Sequence, residues 1–126
     1  AAPGRWEAPP PAWRAIAGRG LVPSAAPLRY VFRAITPPGR PRRFDARFFL
    51  ADAADLVGDP DDFSLASDEL AHLQWVPVAR ARSFDLPFIT EVVLAEVMRI
   101  AGLPDAPASV PFFDNSGPVP TFRRLF

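Results

Sequence analysis

The most regular alternation of apolar and polar positions lies in residues 28–51, on both sides of a short connection. Residues 28–35 and 43–50 follow the two-residue period of a β-strand, and both are rich in aromatic and β-branched residues. We therefore predict two adjacent strands joined by a stiff cationic loop. The loop region contains Pro37, Pro38, Pro41, Arg40, Arg42 and Arg43.

Alternation also assigns the side chains of each predicted strand to two faces. A shift of one residue would move a whole set to the opposite face, so the register is strongly specified. We expect Phe44 and Phe48 in the core. The sets that share a face are Leu28, Tyr30, Phe32 and Ala34 in the first strand, and Phe44, Ala46, Phe48 and Leu50 in the second.

Residues 86–101 have the helical period and form the longest predicted helix. Asp85 is expected to cap its first turn, Pro87 is tolerated there, and Gly102 and Pro104 should end it. An apolar stripe this wide should cover one face of a sheet. The stripe consists of Ile89, Val92, Val93, Val97 and Ile100.

The N-terminal half outside the strand pair has weaker patterns. Residues 1–11 are rich in proline and alanine and should be irregular, and residues 11–17 should form a short helix whose Trp13 is buried. Residues 52–67 suggest an exposed loop, held down by apolar side chains. Those side chains are Leu56, Val57 and Phe63.

The C-terminal half is predicted to contain a short strand at 73–76 with Trp75 against the core, a helical turn at 78–83 and a late edge strand at 121–126. Residues 105–126 are otherwise a proline-rich tail. Phe112 and Phe113 need a partner surface that the sequence does not identify. Together these elements indicate an α+β domain.

Composition restricts the chemistry. With 14 basic and 14 acidic residues the formal charge is zero, so no overall field favours nucleic acid or an anionic membrane. Cysteine is absent and His72 is the one histidine, which argues against disulfides, thiol catalysis, a Ser-His-Asp triad and a multi-histidine metal site. No apolar run is long enough to span a bilayer, and we expect a cytoplasmic protein.

An acidic cluster at residues 59–62 is the first candidate for metal binding. Asp59, Asp61 and Asp62 lack the spacing and the terminal glutamate of an EF-hand loop. We interpret the cluster as a solvated turn.

The order of sequence blocks resembles a known family. Residues 69–77 read Glu-Leu-x-x-Leu-x-Trp-Val-Pro, residues 86–89 read Leu-Pro-Phe-Ile, and residues 35–37 and 42–50 read Ile-Thr-Pro and Arg-Arg-Phe-Asp-Ala-Arg-Phe-Phe-Leu. Over residues 13–101 the chain is similar to the C-terminal part of a Nudix hydrolase, in the branch of coenzyme A diphosphatase-like bacterial proteins. The resemblance implies a mixed sheet packed between helices. It also implies an intact family member that uses Mg2+ or Mn2+ to cleave the diphosphate linkage of a nucleoside diphosphate joined to another moiety.

One departure from the family is decisive. The catalytic signature, a glycine, a glutamate and then Arg-Glu-x-x-Glu-Glu-x-Gly, does not occur in the sequence. Its carboxylates hold the metal ions, so we expect this chain alone to be inactive and to hold no metal. We expect it to be a fragment that begins after the catalytic helix, with an incomplete Nudix-like domain at residues 12–104. A non-catalytic nucleotide-binding module and a protein-interaction module remain alternatives.

The resemblance assigns substrate binding to the loop and the start of the second strand. Arg40, Arg42 and Arg43 are suited to bidentate contact with phosphate, although a solvent-facing loop explains each arginine equally well. Asp45 is a further substrate-binding candidate, and it could instead form a surface pair with Arg47. Glu69 is a weak candidate for an auxiliary catalytic role. The expected partner is a nucleotide-type small molecule, with no nucleic acid and no membrane, and a homodimer is compatible with the sequence.

Overall fold

The computed structural model describes residues 2–66 and 71–126 and shows a mixed α+β chain. Its elements in chain order are β1 (Ala2–Pro3), α1 (Arg14–Ala17), β2 (Leu21–Val22), β3 (Arg29–Ile35), β4 (Asp45–Leu50), α2 (Val78–Ala81), α3 (Phe88–Ile100), β5 (Val110–Asp114) and β6 (Thr121–Leu125). Two 3₁₀ turns occupy Pro11–Trp13 and Ala53–Asp55. The chain divides into two compact units, Ala1–Leu28 with Ala51–Leu73, and Arg29–Leu50 with Gln74–Phe126.

The first unit is built on a two-stranded antiparallel sheet of β1 and β2, and β1 lies within residues 1–11, which were expected to be irregular. The helix predicted at 11–17 is present as the 3₁₀ turn followed by α1. The prediction that Trp13 would be buried is wrong, because this side chain is exposed and meets Trp6 at 6.3 Å between ring centroids. The two indole rings therefore cover part of each other's apolar surface, because the 3₁₀ turn and α1 contain no buried residue.

The loop predicted after residue 52 is exposed, but its apolar side chains do not hold it down. Leu56, Val57 and Phe63 are all exposed. The acidic turn is stabilised by its own carboxylates: Asp59 accepts a hydrogen bond from the N–H of Asp61, and Asp62 from that of Ser64. These are Asx turns, so the interpretation as an exposed turn is confirmed.

The second unit contains a four-stranded mixed sheet in the order β4-β3-β5-β6. The predicted hairpin is present as antiparallel β3 and β4, and the predicted edge strand is present as β6. β5 was not predicted. It lies inside the sheet, parallel to β3 and antiparallel to β6, and brings Phe112 into the interior with 2% of its surface exposed.

A β-bulge at Val31 changes which side chains of β3 lie on the same face of the sheet. Tyr30 pairs with Phe49, whereas Phe32 pairs with Phe48. Because consecutive residues of β4 face opposite sides, Tyr30 and Phe32 also face opposite sides, and the prediction that they share a face is wrong. The extra residue of the bulge, Val31, is itself buried.

Helix α3 covers one face of the sheet with the predicted stripe. Val93 and Ile100 are buried with Val31, Phe32 and Ala34. Partly buried side chains complete this core, namely Phe48, Leu50, Ile89, Val92, Val97 and Phe113. The packing of an apolar helix stripe on a sheet is the main source of stability here.

Two local predictions around α3 are wrong. Asp85 does not cap the helix: Pro87 is the N-cap residue, its carbonyl accepts from the N–H groups of Thr90 and Glu91, and no side chain caps the first turn. Residues 73–76 do not form a strand, and Trp75 is exposed. The helical turn predicted at 78–83 is present as the shorter α2.

Candidate functional site

A cavity of about 540 Å³ opens where β3 and β5 end and α3 begins. Ile35 is the last residue of β3, Asn115 directly follows β5, and Phe88 is the first residue of α3. Because β3 and β5 are parallel, their carboxyl ends lie at the same edge of the sheet. Ligands of open α/β sheets bind outside that edge, and 300–1,000 Å³ is roughly the usual size of such sites.

Apolar side chains form the floor of this cavity and two aromatic rings stand at its mouth. Ala34, Ala46 and Phe113 belong to the sheet face that α3 covers. Phe44 and Phe88 also line the cavity, yet they are 63% and 68% exposed. The prediction that Phe44 would be core is therefore wrong. It lies just before β4, where the chain leaves the sheet.

The connection from β3 to β4 is closed by a hydrogen-bonded pair of residues. The N–H of Thr36 donates to the carbonyl of Phe44 at 2.9 Å, and the N–H of Phe44 donates to Thr36 Oγ1 at 3.0 Å. Gly39, at φ 81°, provides the left-handed turn that a side chain would disfavour. Three prolines further restrict this loop, so its two ends have fixed positions at the cavity.

The structure brings two of the predicted substrate-binding residues together at the cavity. Arg40 and Arg42 both line it and both are exposed. Within residues 2–66 and 71–126, neither guanidinium has an ion-pair or hydrogen-bond partner. Two uncompensated guanidinium groups beside an apolar floor favour an anion that carries an apolar part.

The other two predicted residues lie elsewhere. Arg43 does not line the cavity, and its Nε donates to the carbonyl of Thr36 at 3.3 Å. Asp45 accepts two hydrogen bonds of 2.8 Å from Arg33, and Arg47 pairs with it at 3.3 Å. The bidentate contact from Arg33 lowers the pKa of Asp45 below its ordinary value. Asp45 is thus an ion-pair residue, and its side chain points to the face of β4 opposite Ala46.

That opposite face carries a row of side chains which the sequence did not reveal. Arg47, Arg33, Phe112 and Arg123 are paired in register across the four strands. The guanidinium carbons of Arg33 and Arg123 lie 4.5 and 4.9 Å from the centroid of the Phe112 ring. These cation–π contacts cover the ring on a face where α3 does not pack. A signal was present in Arg33 and Arg47, which alternate with the apolar residues of β3 and β4.

Asp114 is the last residue of β5 and lies on the same face of the sheet as Phe112, two residues earlier in the strand. Its carboxylate accepts hydrogen bonds from the hydroxyl and the N–H of Ser116, and Arg123 approaches it at 3.5 Å. These hydrogen bonds from Ser116 lower the pKa of Asp114. The carboxylate therefore fixes the turn that follows β5 and so positions the adjacent Asn115.

Asn115 and Phe88 are cavity residues that the sequence did not identify as candidates. Asn115 is half-buried and lines the cavity directly after β5. The first N–H groups of α3 have no partner within the helix, and Phe88 and Ile89 carry them at the same cavity. A polar residue immediately after a buried strand was the available signal for Asn115, but β5 itself was not recognised.

The acidic and histidine candidates do not form a second site in the part of the chain that the structure describes. Glu69 lies outside the described residues. His72 is exposed, with φ 58°. Across residues 2–66 and 71–126, no group of three or more histidine or acidic side chains is arranged to hold a metal ion.

Comparisons with protein-family models, with curated proteins and with solved structures found no match. Among the described residues, no helix has the length and apolar character needed to cross a membrane.

Proposed function

We propose that this chain supplies the substrate-binding and scaffold elements of a Nudix hydrolase that acts on a nucleoside diphosphate joined to another moiety. The sequence blocks at residues 35–50 and 69–89 support the family, and the mixed sheet covered by α3 is compatible with it. The observation that carries the proposal is the pair of unpartnered guanidinium groups, Arg40 and Arg42, at the mouth of the cavity.

A diphosphate matches this arrangement in charge and in geometry. Each guanidinium offers a planar set of N–H donors, and two of them can share the negative charge of two linked phosphoryl groups. Hydrogen bonds to charged groups contribute about 1.5–3 kcal/mol each. The apolar floor formed by Ala34, Ala46 and Phe113 then accommodates an uncharged part of the ligand.

Cleavage needs more than this cavity. In the family that the sequence resembles, a bound Mg2+ or Mn2+ would supply the Lewis-acid chemistry of the cleavage. The signature whose carboxylates would hold such an ion does not occur in the sequence, so we assign this chain binding and not turnover. Incubation with Mg2+ and ADP-ribose should accordingly release no nucleoside monophosphate from the chain alone.

The experiment that tests the proposal is a thermal-shift titration with ADP-ribose, carried out on three proteins. A ligand at about 100 times its dissociation constant should stabilise the unchanged chain by about 2.7 kcal/mol. Arg42→Ala should reduce that shift strongly because it removes a cavity guanidinium. Arg43→Ala is the matched control, since it removes the same charge from the same loop at a residue outside the cavity.

Two outcomes would contradict the proposal. One is the absence of any shift in a chain that still unfolds cooperatively. The other is an equal loss in the Arg42→Ala and Arg43→Ala proteins, which would mean that only the total charge of the loop attracts the ligand.

A further inference from the structure

We infer that Phe44, Phe88 and Asn115 form a subsite that binds the nucleobase of the ligand. The inference rests on the proposed function, because it places the uncharged part of the same ligand. These three residues line the cavity together with Arg40 and Arg42. None of them was assigned a binding role from the sequence.

The exposure of the two phenylalanines is the first argument. Phe44 and Phe88 leave 63% and 68% of their surface in water although both border a cavity with an apolar floor. Neither ring stacks on another aromatic side chain of the described residues. A flat ring that enters the cavity would bury these surfaces, and stacking on an aromatic side chain accepts any nucleobase.

The side chain of Asn115 is the second argument. It is half-buried at the cavity and makes no side-chain hydrogen bond within residues 2–66 and 71–126. Its amide offers a donor and an acceptor next to each other, which is the pattern that the edge of a nucleobase presents. A hydrocarbon chain in the same place would leave the amide unpaired, and this disfavours an acyl group as the occupant.

The position of the charges is the third argument. Arg40 and Arg42 are exposed on the loop, whereas Asn115 follows the central strand β5 and is half-buried. A ligand bound with its phosphates at the arginines therefore directs its uncharged end toward Asn115. The subsite assigns the base to the side of the cavity lined by Phe44, Phe88 and Asn115, and the diphosphate to the side lined by Arg40 and Arg42.

The test is a set of NMR titrations of the full ¹⁵N-labelled chain with adenosine, inorganic pyrophosphate and ADP. The side-chain NH₂ resonance of Asn115 should move with adenosine and ADP and stay in place with pyrophosphate. Phe88→Ala should weaken adenosine and ADP binding about tenfold while pyrophosphate binding stays within about twofold, since only the base stacks. Asn115→Leu should weaken adenosine binding about fivefold, the usual size of one hydrogen bond. Phe126→Ala, at a fully exposed ring, is the control and should change nothing.

The outcomes separate the inference from the proposed function. If pyrophosphate binds through Arg42 but Phe88→Ala and Asn115→Leu leave ADP binding unchanged, the subsite is refuted and the proposed function stands. If adenosine binding depends on Phe88 while Arg42→Ala leaves ADP binding unchanged, the subsite stands and the diphosphate function is refuted. If no ligand shifts any resonance of the cavity residues, both are overturned.

Discussion

Replacement of Phe112 by leucine tests the central feature of the sheet, a phenylalanine ring covered by two guanidinium groups. The ring is 2% exposed and has Arg33 at 4.5 Å and Arg123 at 4.9 Å from its centroid. Leucine keeps most of the apolar volume and removes the π-system. The substitution therefore isolates the cation–π contribution better than alanine would.

The expected magnitude follows from two contributions. Each cation–π contact contributes about 0.5–1 kcal/mol at a site that solvent reaches. A hydrophobic replacement of similar size adds less than about 1.5 kcal/mol of packing loss. Phe112→Leu should thus lower the free energy of unfolding by about 1–3.5 kcal/mol. Phe113→Leu, on the same strand, should lose packing and the ring contact with Phe122 at 6.4 Å but no cation–π contribution, because neither guanidinium lies over its ring.

The assay is urea unfolding followed by far-UV circular dichroism, arranged as a double-mutant cycle with Arg123→Met. Arg123 is the better partner because it makes one contact of 3.5 Å with Asp114, whereas Arg33 donates two hydrogen bonds of 2.8 Å to Asp45. We expect a coupling energy between positions 112 and 123 of about 0.5–1 kcal/mol, and none between 113 and 123. A 112–123 coupling below about 0.3 kcal/mol with unchanged m-values would refute the idea that arginine stabilises this ring.

Three further predictions concern stability and pH. Ile100→Ala should cost about 2–5 kcal/mol in urea unfolding, because Ile100 is 1% exposed in the α3 core, whereas Met98→Ala at an exposed position should cost less than about 0.5 kcal/mol. Acid should destabilise the protein: the hydrogen bonds from Arg33 hold the folded pKa of Asp45 below its ordinary value, so the stability from this pair is complete above that ordinary value and is lost as the pH falls through the folded pKa. Asp45→Asn should make the urea midpoint lower at pH 7 and less dependent on pH between about 5 and 2, and an unchanged slope would contradict the pairing. Glu96, whose pKa the hydrogen bond from Arg99 lowers, should behave in the same direction in a Glu96→Gln protein.

The predictable elements of the fold are those whose apolar residues recur with the period of a strand or a helix. Alternation identified β3 and β4, and the 3.6-residue period identified α3 with its buried residues Val93 and Ile100. Both patterns report which side of an element is apolar, and that property does not depend on the partner. The local capping of α3 was less predictable, since Pro87 provides the cap position that Asp85 was expected to occupy.

The central strand β5 shows why pairing was not predictable. Pro111 interrupts its pattern and lacks an N–H, which argued against a strand inside a sheet. In the structure the ladder between β5 and β3 begins one residue later, at Phe112, so that Pro111 pairs with Arg124 of β6 alone. Whether the proline is tolerated depends on where the ladder starts, and this is a long-range property.

The candidate site also has features that are local in sequence and features that depend on the tertiary structure. The sequence by itself determined that a stiff arginine loop joins two strands, because prolines and charges are local features of residues 36–43. Only the tertiary structure decided that Arg40 and Arg42 line the cavity while Arg43 does not, and that Phe88 and Asn115 lie beside them. The cavity exists because the ends of β3 and β5 and the start of α3 meet. Ala34 and Asn115, which are 81 positions apart in the chain, are brought together only by the parallel pairing of β3 and β5.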